Sequence, residues 1–161
     1  IRMKQLGTPL YSRYLMAGIL RSFPNNSKLF IASLNGNAVG GGLTIHYGGF
    51  AEMPYAATLV EYNTRCPNNL LYWSVIKHYC EAGASCFDLG RCTVGSGTYN
   101  FKKQWGPLQI DMYYQYWVCP GHELTITSPD NPQYRRRIEI WKRLPQGVAD
   151  MLGPCISRGL P

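Results

Sequence analysis

The stretch from Lys28 to Tyr47 most constrains what this chain can become. KLFIASLN is rich in strand formers, Asn35-Gly36-Asn37 supplies a tight turn, and Ala38 to Tyr47 is extended again. Asn-Gly tolerates the left-handed backbone that short hairpin loops need, so two antiparallel strands follow. The Gly40-Gly41-Gly42 run in the second strand reads as a bulge or a close backbone approach. It does not read as a phosphate loop, because no helix start follows it. Elements that would cover such a sheet lie on both sides of it. Pro9 to Phe23 places Leu10, Tyr14, Leu15, Ile19 and Leu20 at helical spacing, and Pro24-Asn25-Asn26 closes that helix. After Gly48-Gly49 comes a third extended stretch, Phe50 to Tyr62, which Pro54 restricts to an edge or a bend. Pro67 to Glu81 is predicted as a helix with Leu70, Leu71, Val75, Ile76 and Tyr79 on its apolar face and Gly83 at its end.

Beyond it the pattern predicts a short strand at Cys86–Leu89, a Gly/Ser turn, a helix at about Tyr99–Gln104 and a long alternating strand at Leu108–Val118. Two more helices, Pro132–Leu144 and Gln146–Ser157, are separated by Pro145. This is an α/β order. No repeat or low-complexity linker divides it, and 161 residues suit one domain with one core. The chain opens on Ile1 rather than Met, which raises the expectation of a fragment of a longer protein.

Sixteen Lys and Arg against nine Asp and Glu give a net charge of +7, which favours anionic partners such as phosphorylated cofactors, RNA or acidic lipid. The one dense cluster, Arg135-Arg136-Arg137, sits in a predicted helix and reads as a solvated face. No nucleic-acid-binding motif accompanies it. Six cysteines, at 66, 80, 86, 92, 119 and 155, form neither a CxxC pair nor a Cys/His spacing suited to zinc, so no metal site is expected. With no signal-peptide pattern and no long apolar run, the expectation is a cytoplasmic chain with reduced thiols and no transmembrane segment.

The densest chemical signal is FDLGRCTVGSGTYNFKKQWG, residues 87 to 106. Gly90, Gly95 and Gly97 let backbone amides point at an anion, and a helix start beyond them adds a favourable dipole. Arg91 offers a planar donor fork, Ser96 and Tyr99 offer hydroxyls, and Lys102 and Lys103 stand one turn further on. Negative charge or a developing oxyanion would be held here. Each residue also has a plainer reading. The glycines make an ordinary loop equally well, Arg91 can pair with Asp88, Tyr99, Phe101 and Trp105 have core spacing, and Lys102 can snorkel from a packed helix.

In these residues the chain resembles the FemAB-like proteins of the GNAT (Gcn5-related N-acetyltransferase) superfamily, especially those associated with exosortase and exopolysaccharide gene clusters. The likeness is carried by Asn69-Leu70-Leu71-Tyr72-Trp73, Phe87-Asp88-Leu89-Gly90-Arg91, and Gly95-Ser96-Gly97-Thr98-Tyr99-Asn100-Phe101-Lys102 with Trp105-Gly106. Trp141-Lys142-Arg143-Leu144-Pro145 and Leu152-Gly153-Pro154 add to it, so that it runs from about Pro9 to Pro161. The resemblance implies a GNAT-like mixed, mostly antiparallel sheet with flanking helices and two C-terminal helices. Two central strands, near Ala56–Tyr62 and Cys86–Gly90, would splay apart to admit the donor. It also implies that this is the C-terminal half of a tandem protein whose N-terminal GNAT-like domain is missing.

The function implied is N-acyl transfer: an acyl or aminoacyl group passes from acyl-CoA or aminoacyl-tRNA, as donor substrate rather than resident cofactor, to an amine acceptor. Cell-envelope or exopolysaccharide metabolism is the implied setting, with tRNA as a donor carrier. Lys102 matches the lysine of the family's Phe-Lys motif and is implied to stabilise the donor's carbonyl oxygen or a phosphate, with Arg91 beside it and Tyr99 as an acid. Gly95, Ser96 and Gly97 would cradle the donor. One departure stands out. No Q/R-x-x-G-x-G/A pyrophosphate loop precedes the helix at Pro67; Asn63 to Asn69 occupies that place. Arg65, Asn68 and Asn69 can bind phosphate there, or an Asn can simply cap the helix. Asp88 or Glu61 would relay the amine's proton, and Cys92 is a weaker candidate nucleophile, since no motif links it to His46, His78 or His122. The competing reading is a non-catalytic GNAT-like module that binds a ligand or a partner domain.

Overall fold

The computed structural model describes residues 2–9, 11–122 and 132–157. Four strands, β1 (Ser27–Leu34), β2 (Asn37–Tyr47), β3 (Phe50–Thr58) and β4 (Cys86–Asp88), form one sheet in the order β1-β2-β3-β4. The first two pairings are antiparallel and β3 pairs with β4 in parallel. Six helices accompany them: α1 (Arg2–Leu6), α2 (Arg13–Ser22), α3 (Pro67–Glu81), α4 (Gly97–Lys103), α5 (Pro132–Arg143) and α6 (Gln146–Ser157). The mixed, mostly antiparallel sheet with flanking helices is the fold the resemblance implied.

The hairpin turns at Asn35 (φ 51°) and Gly36 (φ 79°), both left-handed as the two-residue loop requires. The glycine run resolves into a close approach. A Cβ on Gly42 would collide with Met53 and come within 3.5 Å of Leu71 on α3, so the sheet and helix meet where side chains are absent. Leu71, Val75 and Tyr79 of α3 recur at helical spacing and bury themselves against Ala51 and Met53 of β3. Phe30, Tyr72, Ala84 and Phe87 pack around that core.

Several sequence expectations change. The helix expected from Pro9 is α2 and begins at Arg13, because Ser12 caps it by accepting from the Tyr14 N–H at 3.1 Å; Leu10 lies outside the described residues. β3 ends at Thr58, and Val60–Arg65 turns into a 3-10 helix instead of continuing the strand. Pro54 is tolerated inside β3 because the register slips between Leu43 and Ile45, the point of β2 it faces, so no ladder bond is asked of it. The strand expected over Leu108–Val118 does not form among the described residues. A period of two says which faces a strand would present, but a strand also needs a partner. β4 pairs over only three residues, and Leu108, Ile110, Tyr113 and Trp117 stay exposed.

The C-terminal helices fold back on the start of the chain. Trp141 is buried and its indole N–H donates to the Thr8 carbonyl at 3.1 Å. The Arg135–Arg137 cluster is exposed, as a solvated face should be, with Arg135 3.9 Å from Glu139 one turn on. All six cysteines carry free thiols. No described helix is long and apolar enough to cross a membrane.

Candidate active site

The site grows out of the brief pairing of β3 with β4. Phe50 faces Cys86, Ala51 faces Phe87 and Glu52 faces Asp88; beyond this third pair the parallel strands part. β3 runs on to Thr58, paired among the described residues only with β2 on its other side, while the chain after Asp88 turns away through Gly90. The two diverge as a wedge, with β3 from Met53 onward as one side and the chain leaving Asp88 through Gly90 and Arg91 as the other. Gly90 adopts φ +71°, and a Cβ there would sit 3.3 Å from Glu52 Oε1 and 3.7 Å from Lys102 Nζ. Glycine is needed twice over, for the backbone and for the space.

Lys102 is buried, 9% exposed, on α4. Its ammonium donates to the carbonyls of Gly90 at 3.0 Å and Arg91 at 2.9 Å. Two of its three protons therefore pin the loop that forms the wedge wall. Phe101 and Trp105 take the core role their spacing offered, packing on Tyr72 of α3 with ring centroids 5.0 and 6.2 Å away. That packing half-buries Tyr72 and raises its phenol pKa by desolvation.

Arg91 does not pair with Asp88. Its guanidinium is exposed and donates to the Tyr114 hydroxyl at 3.0 Å, a bond that raises its already high pKa. Asp88 instead accepts the Gly90 N–H at 2.6 Å, an Asx turn that starts the departure of the chain from the sheet. Tyr99 donates its hydroxyl to Gln109 at 3.0 Å, so residues 107–114 are held to the wedge by two side chains, Arg91 and Tyr99. Ser96 caps α4 by accepting from Tyr99 N–H at 3.1 Å; Gly95 is left-handed at φ +80° and Gly97 opens the helix. Cys92 and Glu61 are exposed.

At the far end of the wedge, α3 begins. Neither asparagine caps it: Cys66 holds the N-cap position in a left-handed conformation without a side-chain bond, and Pro67 fills the first turn. Asn68 Oδ1 accepts from the Thr58 hydroxyl at 3.0 Å, tying the end of β3 to the start of the helix. Asn69 and Arg65 are exposed. The helix is fifteen residues long, and its positive end with the Asn68 and Asn69 amides lies where β3 finishes.

The sequence reading missed a group on the other face of the sheet. Leu43 and Ile45, two apart on β2, face Tyr55 and Glu52 across the register slip, so Glu52 and Tyr55 share the face turned away from α3. Tyr11 joins them, its ring 5.5 Å from that of Tyr55 in an edge arrangement. Burial first, then the nearby Tyr11 and Glu52, raise the Tyr55 pKa. Tyr11 also lies close enough to Arg91 to favour its charge. Glu52, Tyr55 and Tyr11 thus gather at the apex of the wedge, where the Gly90 backbone passes close to Glu52. Glu52 had one signal in the sequence, a lone carboxylate in an otherwise apolar strand between Ala51 and Met53; Tyr11 had none.

Residues 2–103 match the family model described as acetyltransferase (GNAT) domain, which spans more than half of the chain. The chain belongs to the GNAT acetyltransferase domain family. Solved structures share the GNAT fold with it at low identity. AAC(6')-Iy, in complex with a bisubstrate analogue, CoA-S-monomethyl-acetylneamine, superposes with a TM-score of 0.58 and 12% identity over 74% of this chain and 87% of its own. A second, meta-AAC0020 from an uncultured soil metagenomic sample, gives 0.54 and 17% over 68% of this chain and 76% of its own in complex with trehalose. The same enzyme in complex with sisomicin gives 0.50 and 19% over 59% and 67%. No curated protein sequence matches this GNAT domain.

Proposed function

We propose that this GNAT domain transfers an acyl group from an acyl-CoA to a primary amine. The observation that carries the reading is the early end of the β3–β4 pairing after Glu52 and Asp88, which leaves the backbone of residues 53–58 without a strand on that side beside Arg91 and Glu52. An extended amide-bearing arm, such as the pantetheine of CoA, satisfies such an edge as a strand would. Its diphosphate then falls at the start of α3, where the Asn68 and Asn69 amides and Arg65 supply donors and positive charge.

The acceptor approaches from the face bearing Glu52, Tyr55 and Tyr11. Glu52 takes the proton from the ammonium, the free amine attacks the thioester carbonyl, and the new C–N bond forms as the C–S bond breaks. Arg91 or a β3 amide holds the transient oxyanion, Tyr99 turns its proton from Gln109 to the departing thiolate, and the second proton of the attacking nitrogen passes to solvent. Lys102 acts through the loop it anchors rather than on the donor itself.

Finer specificity follows the same residues. The Phe101-Lys102 and Trp105-Gly106 pattern supports a FemAB-type enzyme in envelope or exopolysaccharide chemistry, and the +7 charge keeps aminoacyl-tRNA as a second donor. The domain arrangement we propose is the second half of a tandem pair. A binding module without turnover is the other reading, favoured by the absence of a glycine-rich loop ahead of Pro67.

Calorimetric titration with desulfo-CoA and thiol release from acetyl-CoA, using neamine, sisomicin and spermidine as acceptors, test this. Charged tRNA forms a parallel arm. Glu52→Gln is expected to lower kcat about 100-fold with donor affinity unchanged, the usual scale for a general base. Binding without release from any donor supports the binding module, and absence of both sinks the proposal.

A further inference from the structure

A second cleft, of about 370 Å³, opens at the end of the sheet away from the wedge mouth, among Lys28, His46, Phe50, His78, Tyr79 and Ala84. We propose that it is a binding site for a small organic oxyanion, a phosphate or a carboxylate carrying an apolar group. The case rests on charge, donors and shape together, and does not depend on the transferase reading.

Lys28, His46 and His78 line this cleft, and among the described residues no carboxylate does. Among the described residues the salt bridges are Lys77–Glu81 and Arg135–Glu139, so the Lys28 ammonium has no anionic partner. It donates instead to Nε2 of His78 at 2.9 Å. An imidazole that accepts from an ammonium is neutral, with its proton on Nδ1. Two further ammonium protons remain for a ligand.

The opposite wall is fixed by a buried relay. Thr44 Oγ1 donates to the Lys28 carbonyl at 3.2 Å, so it accepts from the Tyr79 hydroxyl at 2.6 Å. The Tyr79 oxygen then accepts from His46 Nδ1 at 3.4 Å, which leaves His46 Nε2 as an acceptor for a ligand hydroxyl such as the P–OH of a protonated phosphate. Tyr79 is only 2% exposed, so this chain holds the His46 ring in one orientation. His78 is likewise held, edge-on to Phe30 at 5.4 Å and to Tyr79 at 5.1 Å.

The end of α3 would oppose an anion if its carbonyls were bare. They are capped: His78, Cys80 and Tyr79 carbonyls accept from the amides of Ala82, Gly83 and Ala84. A cation near a helix C-terminus complements the dipole by itself. That role needs neither a cleft nor two oriented imidazoles. Phe50, 61% exposed, with Ala82 and Ala84 gives the apolar group of the ligand a surface to cover.

An oxyanion seated beside Lys28 Nζ takes up the ammonium protons that His78 Nε2 does not accept. The groups around His78 are Lys28 on β1, His46 on β2 and Tyr79 on its own helix, while Lys77 and Glu81 pair with each other at 3.7 Å.

Imidazole NMR shifts of His46 and His78 in the full chain, titrated with inorganic phosphate, phenyl phosphate and benzoate, test the site. Saturable shifts of both histidines are expected, tighter for phenyl phosphate than for inorganic phosphate. The comparison of phenyl phosphate with benzoate decides between phosphate and carboxylate. Lys28→Met, a change at an exposed side chain, is expected to weaken binding at least tenfold. Saturating desulfo-CoA is expected to leave the shifts in place. Unsaturable shifts, equal binding by Lys28→Met, or displacement by desulfo-CoA would each overturn the proposal.

Discussion

Replacing Lys102 by Met separates a structural role for its ammonium from a chemical one. Met keeps most of the buried stem and removes the charge and both donors. The two bonds lost, to Gly90 at 3.0 Å and Arg91 at 2.9 Å, come from a charged donor, and such bonds contribute about 1.5–3 kcal/mol each. The cost is smaller than their sum. Gly90 is half-buried and Arg91 exposed, so water replaces part of what the carbonyls lose, and the ammonium's own desolvation is relieved. About 2–4 kcal/mol remains, which for a chain of this size lowers Tm by about 4–16 °C. Urea and thermal unfolding followed by circular dichroism, with desulfo-CoA titration on the same preparations, measure it. An unchanged unfolding midpoint together with lost donor binding would refute the anchoring argument and return Lys102 to the role its sequence motif implied.

Two further outcomes follow from the packing. Gly42→Ala inserts a methyl between β2, Met53 and Leu71; Met53 can move, so a loss of about 1–2 kcal/mol is expected in urea unfolding. Tyr72 has a folded-state pKa raised by burial, so the folded state holds the phenolic proton more tightly than the unfolded one. Its contribution is fully present below the unfolded pKa near 10 and is lost as pH rises through the folded value. Stability is expected to fall as pH rises above about 10 through the folded value, and Tyr72→Phe to flatten that fall, read from unfolding curves at stepped pH.

Local chemistry made much of the fold legible. The Asn35-Gly36 turn, the Leu71, Val75 and Tyr79 stripe of α3 and the Gly83 stop are decided by neighbours in the chain and stand where the pattern put them, whereas Leu70, expected on that apolar face, is exposed. The expected strand over Leu108–Val118 shows the limit. Alternation encodes the faces of a strand and says nothing about whether another strand lies alongside.

The site divides in the same way. The sequence by itself determined that Gly90, Arg91, Ser96, Tyr99 and Lys102 occupy one short strand-to-helix segment, since proximity along the chain is covalent. Only the tertiary structure decided what each does there. Burial turned Lys102 inward onto two carbonyls, and Arg91 turned to Tyr114, twenty-three residues on. A single register slip in β2–β3 brought Glu52 and Tyr55 to one face with Tyr11. Those contacts join residues about forty apart, and the side-chain period of a strand reverses with every one-residue shift of pairing. No local pattern carries that choice; the packing of the sheet makes it.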